Sequence, residues 1–192
     1  MVVANLSECD VTPPDLNQPI SLAANDFELF DLPPCFALNR SQLDDRWKAL
    51  QRQVHPDQFV SQGAAEKRLA MQWSVRINEA YQRLKTPLRR AAYLCELNGS
   101  PVRAEDNTSM PADFLMLQMQ WRESLDEATS LDALNSLQDE ITEYRNSTLS
   151  KLTRYLDVEH LWDEAVREVR ALMFIDKFEQ DLNTQFERIE NA

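Results

Sequence analysis

The sequence predicts an all-α protein in two parts, a helical hairpin followed by a three-helix bundle. Three observations carry that expectation. Only two glycines occur in 192 residues, too few for the tight turns that a β fold requires. Apolar residues recur at steps of three and four, the spacing that gathers them on one face of a helix with 3.6 residues per turn. The prolines from Pro33 onward fall where those runs break. A chain of this length buries a real core, as one domain or two small ones.

Residues 1–24 hold Thr12-Pro13-Pro14 and Pro19 among small polar residues without periodicity, and read as a flexible arm. Asp26 to Leu32 reads as a short first helix anchored by Phe27, Phe30 and Leu32 and halted by Pro33-Pro34. Ser41 is the expected N-cap of the second helix, with Asp44 and Asp45 in the first turn, where they oppose the helix dipole favourably. Leu43, Trp47, Leu50 and Val54 form its stripe; Leu69, Trp73, Ile77, Ala80 and Leu84 form that of a third helix, expected from about Ala64 to Lys85. Two such stripes joined by a short connection cover each other as an antiparallel pair, with the connection at the tip. That connection is Val54-His55-Pro56-Asp57-Gln58-Phe59, in which Pro56 disfavours the α conformation at His55. As an isolated tripeptide, His-Pro-Asp is an ordinary turn. Lys48 and Arg52 lie four apart on the side opposite the stripe, and Arg46 flanks it; such charges are ordinarily a solvated face. Pro87 fits the first turn of a fourth helix containing Leu88, Ala91, Ala92, Leu94 and Cys95, which Asn98-Gly99 ends.

Residues 100–110 are polar, with Pro101 followed by Pro111, and mark the domain junction. Beyond it three helices are expected. Phe114, Leu117, Trp121, Leu125 and Ala128 form the core of the first. Leu131, Leu134, Leu137, Ile141, Tyr144, Leu152 and Tyr155 form that of the second. Leu161, Ala165, Val169, Leu172, Ile175, Phe178, Leu182, Phe186 and Ile189 form that of the third. One stripe per helix and short connections make an antiparallel bundle. Leu115, Met116 and Met119 lie about 100° or more from Phe114 at 100° per residue, and Phe174 about 110° from the centre of its own stripe. They form a second apolar surface, which is either packing against a neighbouring domain or a partner site; the two adaptable methionines suit a partner.

Composition narrows the function classes. The formal charge of −12 is uneven: residues 1–25 carry three acids and no base, residues 26–99 sum to +2, and residues 100–192 to −11. A nucleic-acid surface needs clustered base, and the acidic second half opposes phosphate. Cys9, Cys35 and Cys95 are far apart and odd in number, giving neither a disulfide framework nor a paired zinc motif. Two histidines, His55 and His160, cannot make a histidine-rich metal site, so no metal or cofactor is expected. The unpaired cysteines suit a reducing compartment, and a cytoplasmic setting is expected because the first basic residue is Arg40, too late for an export or mitochondrial signal. No apolar run approaches the ~20 residues that cross a bilayer, so no membrane partner is expected either.

The His55-Pro56-Asp57 turn is followed, about one long helix later, by Asn78-Glu79-Ala80-Tyr81, Leu84, Thr86-Pro87 and Arg89-Arg90-Ala91-Ala92-Tyr93. This combination resembles the J-domain co-chaperones. The chain length, the second helical region, Phe114-Leu115-Met116 and Phe174-Ile175-Asp176-Lys177 extend the resemblance to the HscB family of iron-sulfur cluster co-chaperones, over roughly residues 25–190. It implies a J-domain over 25–99, a linker at 100–110 and a scaffold-binding bundle over 111–192. It further implies that His55, Pro56 and Asp57, with Arg46, Lys48 and Arg52, dock on a DnaK-type (HscA-like) chaperone. Leu115, Met116, Met119 and Phe174 are implied as the binding face for the iron-sulfur scaffold protein IscU. Two departures stand out. Gln58 replaces the lysine that often follows the tripeptide, and Cys9 stands alone where some relatives carry a paired-cysteine zinc module.

The resemblance thus implies an adaptor that stimulates ATP hydrolysis by the chaperone and brings the scaffold to it, with no hydrolysis of its own, and two rival readings stand beside it. A hydrolase using His55 and Asp57 lacks a recognisable nucleophile motif, a pocket or a metal, and residues two apart in a tight turn need not face each other. A helical structural or interaction protein with an incidental His-Pro-Asp turn is the alternative reading; recovery of a DnaK-type chaperone in the presence of ATP separates it from the adaptor.

Overall fold

The computed structural model describes residues 23–55, 63–103 and 110–191. Among them there are seven α-helices and no strand. The chain divides into two compact units, Met1–Arg90 and Ala91–Ala192. The division falls inside the fourth helix, whereas the composition placed the junction at 100–110.

In the first unit α1 spans Asp26–Leu29. Asn25 Oδ1 accepts from the backbone N–H groups of Phe27 and Glu28, and Glu28 Oε2 accepts from Asn25 N–H, so the N-terminal N–H groups that lack a helical partner are satisfied. The helix stops short of the expected Leu32 because Asp31 adopts φ 49°, outside helical space. Phe27, Leu29, Phe30 and Leu32 are nevertheless all buried. Asp26, fully buried, lies between Arg76 (2.7 Å) and Arg83 (2.8 Å). Those arginines are seven residues apart on one side of a neighbouring helix, and they fasten α1 to it.

Helix α2 spans Arg40–Gln53, and its N-cap is Asn39, not Ser41. Asn39 Oδ1 accepts from Gln42 N–H at 3.2 Å, so helical geometry begins before the serine. Asp44 and Asp45 therefore lie past the first turn. Asp44 instead accepts from Arg40 (2.6 Å) and from the Tyr81 hydroxyl (3.0 Å). Helix α3 spans Ala64–Lys85, the bounds expected from the sequence. Leu43 and Leu50 of α2 meet Ile77, Ala80 and Leu84 of α3 in the core. Trp47 stacks on Tyr81 at 4.6 Å and donates to Asn78. Leu69, expected in the α3 stripe, is exposed. At 100° per residue it stands about 80° from Ile77, whereas Ala70, about 20° away, takes the buried position. Helix α4 spans Pro87–Leu97, and Gly99 follows at φ 79°. Ser100 N–H reaches back to the Cys95 carbonyl, the closure that left-handed glycine permits.

The second unit contains α5 (Ala112–Glu127), α6 (Leu131–Thr153), a π-helical segment (Arg154–Glu159) and α7 (Trp162–Glu190). Arg145 pairs with Asp176 and Glu179, and Lys151 with Glu168; the falling partner number fixes α6 and α7 as antiparallel. Phe114, Trp121, Leu134, Leu137, Ile141, Leu152, Val169, Leu172, Ile175, Phe178 and Leu182 fill the core. Leu117 and Leu125 are only half-buried. Leu131 and Leu161, expected inside, are exposed, since the first residue of α6 and the residue before α7 have neighbours on one side only. Thr148, which no apolar pattern marks, fills the gap between Ile141 and Leu152. The second helix does not run straight through Tyr155: it widens into the π segment, and His160 ends it at φ 54°. None of the described helices is long and apolar enough to cross a membrane.

Candidate functional site

The α2 helix ends with Val54 N–H bonded to the Leu50 carbonyl, which delivers His55 to the surface just beyond the last turn. Pro56, Asp57 and Gln58 lie outside the described residues. Of the basic residues leading to this end, Lys48 and Arg52 are exposed and share a helix face. Lys48 meets Asp45 at 3.6 Å, an exposed pair that leaves its charge available to solvent. Arg46 is different. Its side chain is largely covered and points to Asp31 at 3.4 Å, so part of its charge is engaged in holding the α1–α2 loop.

In the second unit Leu115, Met116 and Met119 stand on the outer side of α5, exposed by 45%, 64% and 63%. Three apolar side chains, two of them methionines, thus stand exposed on one short stretch of α5. Phe174 does not share that exposure. Its ring stacks on Phe178 at 5.8 Å, lies 6.4 Å from Trp121 and meets Phe114 edge-on at 5.8 Å. The Arg122 guanidinium lies 5.8 Å from the same ring. A helical-wheel angle places Phe174 off its own stripe, but the neighbouring α5 reaches round to that flank. The aromatic cluster thus joins Phe174 to the helix bearing the exposed patch. Arg122 is a residue that sequence reasoning missed; its i+8 spacing from Phe114 is not a signal of that contact.

The remaining reactive groups are occupied. His160 Nδ1 lies 3.0 Å from the Leu156 carbonyl and its ring stacks on Trp162, a role in the α6–α7 turn. Burial, with Asp163 adding to it, pushes the Cys95 thiol up to about 11. Among the described residues no three His, Cys, Asp or Glu side chains are placed to hold a metal ion. What the surfaces offer is a polar helix end with the exposed cations Lys48 and Arg52 in one unit, and an exposed apolar stretch of α5 in the other.

A hairpin that ends its first long helix at an exposed histidine, followed by a helical bundle, is the arrangement expected of the J-domain co-chaperones that the sequence resembles. Residues 110–183 match the family model for the HSCB C-terminal oligomerisation domain. The chain is 47% identical over 174 residues to the co-chaperone protein HscB homolog of Paraburkholderia xenovorans (strain LB400), covering 89% of this chain and 99% of that one. It is 46% identical over 176 residues to the homolog of Burkholderia mallei (strain SAVP1), covering 90% and 99%. Among solved structures, chaperone HscB from Vibrio cholerae superposes with a TM-score of 0.74 at 35% identity, over 86% of this chain and 99% of that one. Human co-chaperone HscB gives 0.82 at 25% identity, over 88% and 85%. The chain belongs to the HscB family of co-chaperones.

Proposed function

We propose that this chain is a two-ended adaptor for iron-sulfur protein maturation. Residues 25–99 act as the J-domain, 100–110 as a linker and 111–192 as the scaffold-binding domain. The His55-Pro56-Asp57 turn, with Lys48 and Arg52 and the partly engaged Arg46, docks on a DnaK-type (HscA-like) chaperone and stimulates its ATP hydrolysis. Leu115, Met116 and Met119, backed by Phe174, carry the scaffold IscU to it. The cytoplasm is the setting of this reading. The observation that supports it best is the trio of exposed apolar side chains on α5 in a chain of this family.

Hydrolysis takes place in the chaperone's nucleotide site, and this chain acts by differential binding. A ligand shifts an equilibrium only by as much as it prefers one state, so the docked turn must bind the hydrolysis-competent state more tightly. The test is single-turnover ATP hydrolysis by an HscA-like chaperone with this chain and IscU, separately and together. Stimulation by the chain, lost in His55→Gln and Asp57→Asn and raised further by IscU, is expected. Equal stimulation by the native chain and both variants would remove the turn from the mechanism.

A further inference from the structure

The segment that leaves α4 is fastened to α7 at two points. Ser100 Oγ donates to Asp163 at 3.2 Å, and the Arg170 guanidinium donates to the Val102 carbonyl through Nη2 at 2.7 Å and through Nε at 3.2 Å. Arg103, the next residue, is thereby set beside Arg170, and Arg167 stands one turn before Arg170 on the same side of α7. The three arginines, with Ser100, Pro101, Asp163 and the buried Val166, line a pocket of about 580 Å³. That volume lies in the range of roughly 300–1,000 Å³ usual for small-molecule sites.

Charge at this place runs against its surroundings. Residues 100–192 hold nine bases against twenty acids, yet three of the nine converge on a pocket that contains one carboxylate. Arg145, Lys151 and Arg154 of the same unit each reach an acid across or along the bundle. Arg103, by contrast, is exposed and has no ion pair among the described residues, and Arg167 has only an exposed pair with Glu164 three residues away on its own helix. Arg103 is also held at φ 42°, a left-handed backbone that is costly for a residue with a side chain and that collects at binding sites. Guanidinium groups fit phosphate oxygens through paired, charge-assisted hydrogen bonds. Asp163 opposes a bare anion and suits a ligand that also offers a hydroxyl donor.

We propose that this pocket binds a small diphosphate ester with free hydroxyl groups, the chemistry of a nucleoside diphosphate. Arg103, Arg167 and Arg170 hold the two phosphates, and Asp163 accepts from a hydroxyl of the esterified part. None of these residues belongs to the surfaces assigned to the chaperone or the scaffold.

The experiment is isothermal titration calorimetry on the full chain with ADP, pyrophosphate and orthophosphate, at low salt and without magnesium, with the Gly99 and Ser100 amide resonances as a second readout. The variants are Arg103→Gln, Arg167→Gln and, as a control for diffuse charge ~27 Å further along α7, Arg188→Gln, each checked by circular dichroism. ADP is expected to bind more tightly than pyrophosphate, and pyrophosphate more tightly than orthophosphate. Arg103→Gln and Arg167→Gln are each expected to weaken ADP about tenfold, as the loss of a charged hydrogen bond does. Arg188→Gln, beyond a Debye length of about 10 Å, is expected to change it less than about twofold. Neither heat nor an amide shift with millimolar ADP overturns the proposal, and so does equal weakening in all three variants. Pyrophosphate binding as tightly as ADP overturns it as well, because the esterified part would then contribute nothing. A glutamate-rich peptide that binds more tightly than ADP would assign the pocket to an acidic protein segment, and would overturn it too.

Discussion

At the scale of the residue, burial decides chemistry. Cys95 is fully buried, and its thiol is pushed up to about 11 first by desolvation and then by Asp163. Because the fold favours the neutral thiol, its contribution to stability is complete below the ordinary value of 9.0 and is lost as pH rises through about 11. At neutral pH Cys95 is expected to react with iodoacetamide only as fast as the chain unfolds, as read by mass spectrometry. Rapid labelling under native conditions would mean that the thiol is accessible. The same contrast separates two of the apolar site residues. Leu115→Ala removes an exposed side chain, and is expected to weaken scaffold binding about tenfold, or 1.4 kcal/mol, with the melting temperature unchanged. Phe174→Ala removes a ring that touches Phe114, Trp121 and Phe178, so it is expected to cost about 2 kcal/mol of stability besides weakening binding. Calorimetry on both variants checks the pair; equal melting temperatures would show that the ring is not part of the packing.

At the scale of the element, the short α1 depends on its attachments. Four residues cannot hold a helix by themselves, since nucleation costs more than one turn returns. Its capping box satisfies the N-terminal N–H groups, and Asp26 locks it to α3 through Arg76 and Arg83. Asp26→Asn leaves two guanidinium groups facing a neutral amide. Loss of one partner from a buried ion pair is expected to cost about 3 kcal/mol. Urea unfolding followed by circular dichroism measures it, and a cost under about 1 kcal/mol would place the pair in the class of exposed bridges. Helix α2 gains more modestly from Asp44. Partial burial alone would raise its carboxyl, but hydrogen bonds from Arg40 and Tyr81 outweigh that and hold it below the usual 3.8. Its contribution is therefore present above that value and lost as pH falls below it.

At the scale of the whole molecule, charge and apolar surface are segregated. Residues 26–99 are net positive and residues 100–192 strongly negative. The docking proposed for Lys48 and Arg52 should therefore steer association and be sensitive to salt, fading as the Debye length shortens from about 10 Å at 0.1 M to 3 Å at 1 M. Reversing both charges is expected to lower chaperone stimulation at low salt and to flatten its salt dependence, measured by the same single-turnover assay. Stimulation indifferent to salt and to reversal would assign docking to the turn alone.

The sequence by itself determined most of the helices, though not the early stop of α1 or the π segment after α6. Periodicity placed α3 from Ala64 to Lys85, Pro87 marked the start of α4, and Gly99 marked its left-handed end, because backbone propensity and 3.6-residue spacing are local properties. It also singled out Leu115, Met116 and Met119, whose exposure follows from lying off the stripe of a helix with a single covered side. Two further outcomes were local and legible: Asn39 in place of Ser41 as the cap, and Leu69 turned outward by its angle from Ile77. Tertiary structure alone decided that Thr148 was enclosed, that Arg46 was drawn to Asp31 and that Phe174 was taken into an aromatic cluster. Those three depend on how far a neighbouring segment, distant in sequence, reaches round a helix, and a helical wheel holds no information about its neighbour's position.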